Sequence, residues 1–349
     1  MKIALAMIVK NEEAVLARCL ESAKPYVDEI IVVDTGSTDQ TREIARTFTS
    51  HVYEFAWCDD FAKARNEALK YVTADWVLVL DADEEIVHWD REAVAAFMKT
   101  KTLGRIETLN RIADPNGEKQ MKATITRFFP KGIMYTGRIH EQVNSSLPRQ
   151  DIAISVSHDG YFEKDKSPRN IPLLEQAIQE NPSDPYLLFQ LAREYKKTDL
   201  LKGERYYRQC YDLLTKQESY YPLALVEYLY ILLHNHCYKD MLGVIRDNQE
   251  RLKGYPDFHF VSALCYTDFI LAHPDRFGDK VHWIEQAYMR AIAIGEKHSY
   301  TGVVGTGSFL PMHNLGIFYD LFGKKESAKR YFQQAADLGY EPSKTRLAD

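Results

Sequence analysis

Apolar and polar positions divide the chain into two regions of different period. From Met1 to about Asp165, short apolar runs alternate with stretches in which apolar residues recur every three or four positions. That is the signature of strands alternating with amphipathic helices, an α/β layer with a largely parallel sheet. Ile3 to Val9 predicts the first strand, Glu29 to Asp34 the second, Val52 to Phe55 a short third and Trp76 to Leu80 a fourth that runs into Asp81-Ala82-Asp83. Asn11 predicts the cap of a helix carrying Val15, Leu16, Cys19, Leu20 and Ala23 on one face. The strands are apolar on both faces, so helices must cover both. Beyond residue 104, the runs Arg105 to Arg111, Ala123 to Phe129, Arg138 to Val143 and Ile152 to Val156 predict shorter, mixed strands between Gly and Pro turns.

After Pro168 helical periods take over, which places a boundary within Glu163 to Arg169 and predicts domains at residues 1–165 and 166–349. With Leu315 as the seventh position of a tetratricopeptide unit, Gly316, Tyr319, Gly323, Ala328, Phe332 and Ala335 all fall where that helix-turn-helix repeat places their residue types. A second unit around Asn181 to Leu214 matches at Leu191, Ala192 and Tyr195, and after a one-residue deletion at Gly203, Tyr207 and Cys210. One repeat cannot bury its own apolar face, so three or four helical pairs are expected. Gly302 to Ser308 has a phosphate loop's glycine count but not its spacing, and reads as a flexible connection between repeats. The tyrosine pairs Tyr206-Tyr207 and Tyr220-Tyr221 read as repeat packing.

Charge sharpens this picture. Of 349 residues, those up to 165 hold 21 Lys+Arg against 27 Asp+Glu and the rest 23 against 23, so the net charge of −6 lies in the first half. An acidic half beside a neutral one argues against nucleic-acid binding, which needs a basic face, and suits a site that recruits a divalent cation. Five scattered cysteines without a C-x-x-C pair indicate neither disulfides nor zinc, so a reducing cytoplasm is the expected compartment. The apolar N-terminal run reads as a strand rather than a signal peptide, and no stretch is long enough for a transmembrane segment.

The candidate chemistry gathers at strand ends. Asp81 and Asp83 follow an apolar strand directly, where open α/β sheets bind ligands, and two carboxylates there can hold a cation against a diphosphate or merely cap a helix. Asp34 ends the second strand on the same sheet edge, where it can accept hydrogen bonds from a nucleobase or ribose; Ser37 with Gln40 predicts a capping box for a helix from Gln40 to Phe48. Arg65 lies in the apolar stripe of the helix Asp60 to Val72, so its guanidinium must snorkel or meet an anion.

Four segments, Met7 to Glu13 (MIVKNEE), Val33 to Asp39 (VDTGSTD), Asp60 to Asn66 (DFAKARN) and Leu80 to Glu84 (LDADE), stand in the order and spacing of family 2 glycosyltransferases with the GT-A fold, which the first 165 residues resemble. The resemblance implies an inverting transferase that takes a sugar from a nucleotide diphosphate sugar, with a UDP-sugar as the expected donor and Mg²⁺ or Mn²⁺ as cofactor. It implies that Asp34 and the backbone at Ile8, Val9 and Lys10, with Asn11, meet the base; that Asp81 and Ala82 meet the ribose or metal; and that Asp83 meets the metal. Thr35 stands where many members carry a second Asp. Arg127, Arg138-Ile139-His140-Glu141 and His158-Asp159-Gly160-Tyr161 are similar to later segments of the same branch. An inverting displacement needs a carboxylate to take the acceptor's proton, and Glu141 is the candidate, the alternative being an ion pair with Arg138. His158 is a candidate third metal or phosphate ligand, and Arg127 and Arg138 are candidate donor-binding cations. The helical half is expected to read a peptide or protein acceptor; a cell-surface glycan, a lipid-linked saccharide, self-association into a homo-oligomer and a scaffold with a vestigial transferase are the alternatives.

Overall fold

A computed structural model describes residues 1–114, 117–158, 166–215, 217–296 and 302–348. The chain forms two compact units, Met1–Glu180 and Asn181–Asp349. The first contains strands β1 (Ile3–Val9), β2 (Glu29–Asp34), β3 (Val52–Glu54), β4 (Trp76–Val79), β5 (Glu84–Trp89), β6 (Leu103–Asp114), β7 (Gly117–Pro130), β8 (Tyr135–Thr136), β9 (Gln142–Val143) and β10 (Arg149–His158). Its helices are α1 (Leu16–Ala23), α2 (Thr41–Phe48), α3 (Phe61–Lys70), α4 (Arg91–Phe97) and α5 (Ser167–Glu180).

The main sheet runs in the order β3-β2-β1-β4-β7-β6-β10-β5. The β3-β2-β1-β4 half is wholly parallel, and the other half is mixed: β7 lies antiparallel to β4 and β6, β10 parallel to β6, and β5 antiparallel to β10. Alternation along β1 builds a core on each face. Ile3, Leu5, Met7 and Val9 pack with Leu16, Cys19 and Leu20 of α1 and Val94 and Phe97 of α4, while Ala4 and Ala6 on the other face pack with Ala62, Ala68 and Leu69 of α3. Helices thus cover both faces, as the two-sided apolar strands demand.

Three local expectations are corrected. The run Arg138 to Val143 is no continuous strand: Gly137 and His140 adopt φ of +95° and +52°, which turns the chain, and only Gln142–Val143 pairs, with β8. Asn11 caps no helix; at φ +55° its Oδ1 accepts from Thr38 N at 2.8 Å, and its own N–H donates to Ser37 Oγ at 2.9 Å. Ser37 therefore faces Asn11 rather than forming a capping box with Gln40, and α2 starts on donors held by others: Gln40 N by Glu13 Oε2 at 2.9 Å and Thr41 N by Asp39 Oδ1 at 3.0 Å. Strand β5 was hidden by its acidic start, Glu84-Glu85. Helix α5, which lies after the boundary expected at residue 165, sides with the first unit: Arg169 stacks over the Phe61 ring at 5.2 Å and Glu180 pairs with Arg138.

The second unit is helical: α6 (Pro185–Thr198), α7 (Leu200–Leu213), α8 (Tyr221–His234), α9 (Tyr238–Asn248), α10 (Pro256–Ala272), α11 (Pro274–Phe277), α12 (His282–Ile294), α13 (Phe309–Leu321), α14 (Lys325–Asp337) and α15 (Glu341–Ala348). Packed neighbours α6 with α7, α8 with α9, α10 with α12 and α13 with α14 make the helical pairs. Small residues permit the closest approaches: a Cβ on Gly316 would stand 2.5 Å from the Phe332 ring, and one on Gly203 3.1 Å from the Lys196 backbone. The tyrosines do pack between helices, with Tyr195 stacked on Tyr206 and the Tyr207 phenol donating to Glu227 at 2.5 Å. The Gly302 to Ser308 connection is tied down, because Glu296 Oε1 accepts from Gly305 N, Gly307 N and Ser308 Oγ at 3.0, 3.1 and 2.7 Å. Among the described residues no helix is long and apolar enough to cross a membrane.

Candidate active site

The site is built where β1, β2 and β4 end together. Register sets Val9 beside Asp34, and Thr35 donates to the Val9 carbonyl from both its N–H, at 2.9 Å, and its hydroxyl, at 3.1 Å. Asp34 is 2% exposed and its Oδ2 accepts from Gly36 N at 3.1 Å and Ser37 N at 3.0 Å. The carboxylate thus holds its own turn, and Gly36, at φ +105°, supplies the left-handed residue that the turn requires. Ile8 and Val9 lie on that edge with Lys10 and Asn11 in the turn beyond, so the first and second motifs are physically one loop pair.

Asp81 stands just past β4 at the head of a turn, its carbonyl accepting from Glu84 N at 3.1 Å and its N–H donating to Glu84 Oε2 at 2.8 Å. Its carboxylate is shared by two arginines. Arg65 Nη2 donates to Oδ1 at 2.8 Å and Arg127 Nη2 to Oδ2 at 2.6 Å. Burial would raise this carboxyl, but Arg127 and Arg65 outweigh it and hold Asp81 far below the usual carboxylate range. The side chain remains 38% exposed, so one edge stays open.

Arg65 resolves its sequence ambiguity by meeting anions: Asp60 starts α3 by accepting from Lys63 N at 2.9 Å, and one turn on Arg65 is buried, its Nε donating to Glu141 at 2.5 Å. Glu141 is carried there by the turn at Gly137 to His140, which is clamped to the start of α3 by Phe61 N donating to Arg138 O at 2.7 Å and Arg138 Nη1 donating to Asp59 O at 2.9 Å. The partner of Glu141 is thus Arg65, while Arg138 pairs with Glu180. Arg127 also lies 3.7 Å from Glu84, which is 4% exposed.

The structure therefore brings Asp81, Arg65, Arg127 and Glu141 into one charged cluster, with Ala82 buried beneath and Asp83 next along the turn. The register of β10 sets the His158 backbone beside Glu84. Asp159, Gly160 and Tyr161 lie outside the described residues. Two participants escaped sequence reasoning. Tyr135 has no motif signal at all, and Asn66 stands inside a motif but had no role; its side-chain amide clamps the Tyr135 backbone, accepting from Tyr135 N at 2.7 Å and donating to Tyr135 O at 2.9 Å. Among the described residues no group of three or more His, Cys, Asp or Glu is placed to hold a metal by itself.

A sheet with a wholly parallel half, whose strand ends present carboxylates and guanidinium groups, is followed by packed helical pairs, which is the arrangement expected of a GT-A type domain joined to a tetratricopeptide-like unit. Residues 5–146 match the family described as Glycosyl transferase family 2. A TPR repeat-containing protein of Synechococcus elongatus is 32% identical over 65% of this chain and 62% of its own length. The SPbeta prophage-derived glycosyltransferase SunS of Bacillus subtilis is 29% identical over 68% of this chain and 60% of its own. The chain thus spans about three fifths of the length of these two relatives. A solved structure of glucosyl-3-phosphoglycerate synthase from Mycobacterium tuberculosis with Mg²⁺ and uridine diphosphate is 21% identical, with a TM-score of 0.26 over 31% of this chain and 43% of that one.

Proposed function

We infer that this protein transfers a sugar from a nucleotide diphosphate sugar, with UDP as the expected nucleotide, to an acceptor in a single inverting displacement. The observation that carries the reading is the cluster at the end of β4, where Asp81 orients two arginines and Arg65 links it to Glu141. In this reading the loop pair of Ile8 to Asn11 and Asp34 to Thr38 receives the base, and Asp81, Ala82, Arg65 and Arg127 line the path of the ribose and diphosphate. Arg138 supplies a further cation at the loop that carries Glu141. Arg65 and Arg127 are fixed before the donor arrives, so they stabilise the departing diphosphate without reorganising. Glu141 accepts the proton of the acceptor group as that group attacks the anomeric carbon from the face opposite the leaving diphosphate.

Mg²⁺ is commonly bound by one or two carboxylates, with substrate phosphates and water supplying the rest. The donor set here fits that mode: Asp83 would be the anchoring carboxylate, with Asp81, whose side chain keeps one exposed edge, and His158 as further candidates. A bound Mg²⁺ or Mn²⁺ would neutralise charge on the leaving diphosphate. The helical pairs of the second unit suit a peptide or protein acceptor, since stacked pairs present extended surfaces. The test is a panel of nucleotide sugars assayed for slow donor hydrolysis with Mn²⁺ and with excess chelator. Hydrolysis of one donor that stops on chelation is expected; a protein that binds none of the panel would refute the reading.

A further inference from the structure

Three buried polar atoms beside Asp81 have no hydrogen-bond partner among the described residues: Arg65 Nη1, Arg127 Nε and the Tyr135 phenol oxygen. Their residues are 8%, 7% and 7% exposed. Buried donors are almost always paired, and three unpaired ones together are unusual for a site with only a structural role. They belong to one constellation, because both guanidinium groups hold Asp81 and the Arg65 guanidinium lies 5.6 Å from the centre of the Tyr135 ring.

The position of Tyr135 is imposed from three sides. Asn66 clamps its backbone through two hydrogen bonds, β9 pairs it with Val143, and its ring meets Phe129 edge-on at 5.8 Å. Since Asn66 follows Arg65 on α3, the same helical turn fixes both the guanidinium and the phenol. Phenylalanine would fill the space equally well, so the hydroxyl itself calls for a use.

We propose that Tyr135 Oη, Arg65 Nη1 and Arg127 Nε form a subsite that donates hydrogen bonds to an oxygen of the nucleotide-sugar donor. The inference rests on the donor reading above and adds to it a contact at Tyr135. All three groups present N–H or O–H, which selects an acceptor oxygen. Burial pushes the Tyr135 phenol up to about 12, so it stays protonated and able to donate at neutral pH. Asp81, Glu84 and Glu141 surround the two guanidinium groups, so the subsite is not a strongly cationic pocket. It suits a sugar hydroxyl as well as a single diphosphate oxygen.

Tyr135→Phe removes one oxygen and keeps the ring. The full chain and this variant are titrated calorimetrically with whichever of UDP-glucose, UDP-N-acetylglucosamine, GDP-mannose or dTDP-rhamnose the wild type binds most tightly, and with the parent nucleoside diphosphate. A rise in Kd of about tenfold, the size of one well-made hydrogen bond, is expected for the sugar nucleotide. An equal rise for the diphosphate assigns the contact to an oxygen of the nucleoside diphosphate; a rise confined to the sugar nucleotide assigns it to a sugar hydroxyl. Unchanged affinity for both overturns the subsite. So does a ligand-free Tyr135→Phe that melts several degrees below wild type, because the hydroxyl would then be holding the fold. A wild type that binds none of these nucleotides instead removes the donor reading, and the subsite with it.

Discussion

Replacing Asp81 by Asn should unsettle the fold of the first unit. Asp81→Asn keeps shape and removes the charge facing two guanidinium groups whose side chains are each 9% exposed. A hydrogen bond to a charged group contributes roughly 1.5–3 kcal/mol net. Two such contacts, at 2.8 and 2.6 Å, would sum to about 3–6 kcal/mol. Three things reduce that figure: Asp81 is 38% exposed and therefore screened, Arg65 keeps Glu141, and Arg127 keeps Glu84 at 3.7 Å. A net loss of about 2–3 kcal/mol is reasonable, and at roughly 2–4 °C per kcal/mol for a unit of this size the melting temperature falls by about 4–12 °C. Differential scanning calorimetry of the full-length variant without nucleotide reads this directly. If Asp81→Asn melts with the wild type, then Asp81 does not orient the arginines and the geometry assigned to the site is wrong.

Other outcomes follow from single contacts. Glu141→Gln should cut turnover by about 10²–10⁴ while the nucleotide Kd moves by less than about threefold, as measured with saturating acceptor; a near-normal rate constant would leave Glu141 only its ion pair with Arg65. Gly316→Ala should cost the helical unit about 1–3 kcal/mol, because its Cβ would stand 2.5 Å from the Phe332 ring, outweighing about 1 kcal/mol of gained helix propensity; an unchanged urea midpoint would show that Phe332 gives way freely. Burial holds the imidazoles of His259 and His313 below their ordinary value of 6.5, so their neutral forms stabilise the fold fully above that pH, and the contribution is lost as pH falls through the depressed values. The helical unit should therefore unfold at lower urea at about pH 5 than at about pH 7.5, and His259→Gln should flatten that dependence, both read by far-UV circular dichroism.

Much of the fold was legible because its signals are local. Ile3 to Val9 and Glu29 to Asp34 are uninterrupted apolar runs, and they are strands over those residues. The helical pair around Gly316 and Phe332 was visible as repeat spacing, and the reason for the spacing is the close approach that the glycine permits. What failed depended on partners distant in sequence. Asn11 and Ser37 each carry a good capping side chain, and nothing local says that they will bond each other across 26 residues instead. Strand β5 begins with two glutamates that an alternation count rejects, yet the antiparallel partner β10 makes it an edge strand of the main sheet.

The same distinction explains the site. Asp81 and Arg65 stood out as residue types in unexpected places, a carboxylate ending a buried strand and a guanidinium in an apolar stripe, and each oddity found its cause in the other. Glu141 stands out for its chemistry, but Arg138, three residues before it, is not its partner. The left-handed turn at Gly137 and His140 carries Glu141 to an arginine 76 residues away, leaving Arg138 for Glu180. Tyr135 was illegible because a tyrosine among apolar neighbours is ordinary, and its significance arises only when the hydroxyl is found buried without a partner among the described residues. Asn66 shows where the missing information lay. It was in view as the last letter of a motif, and an amide beside a buried arginine has little to do on its own helix. Its bidentate hold on a backbone 69 residues away makes Arg65-Asn66 one device, the first side chain tying two carboxylates together and the second placing the phenol next to them.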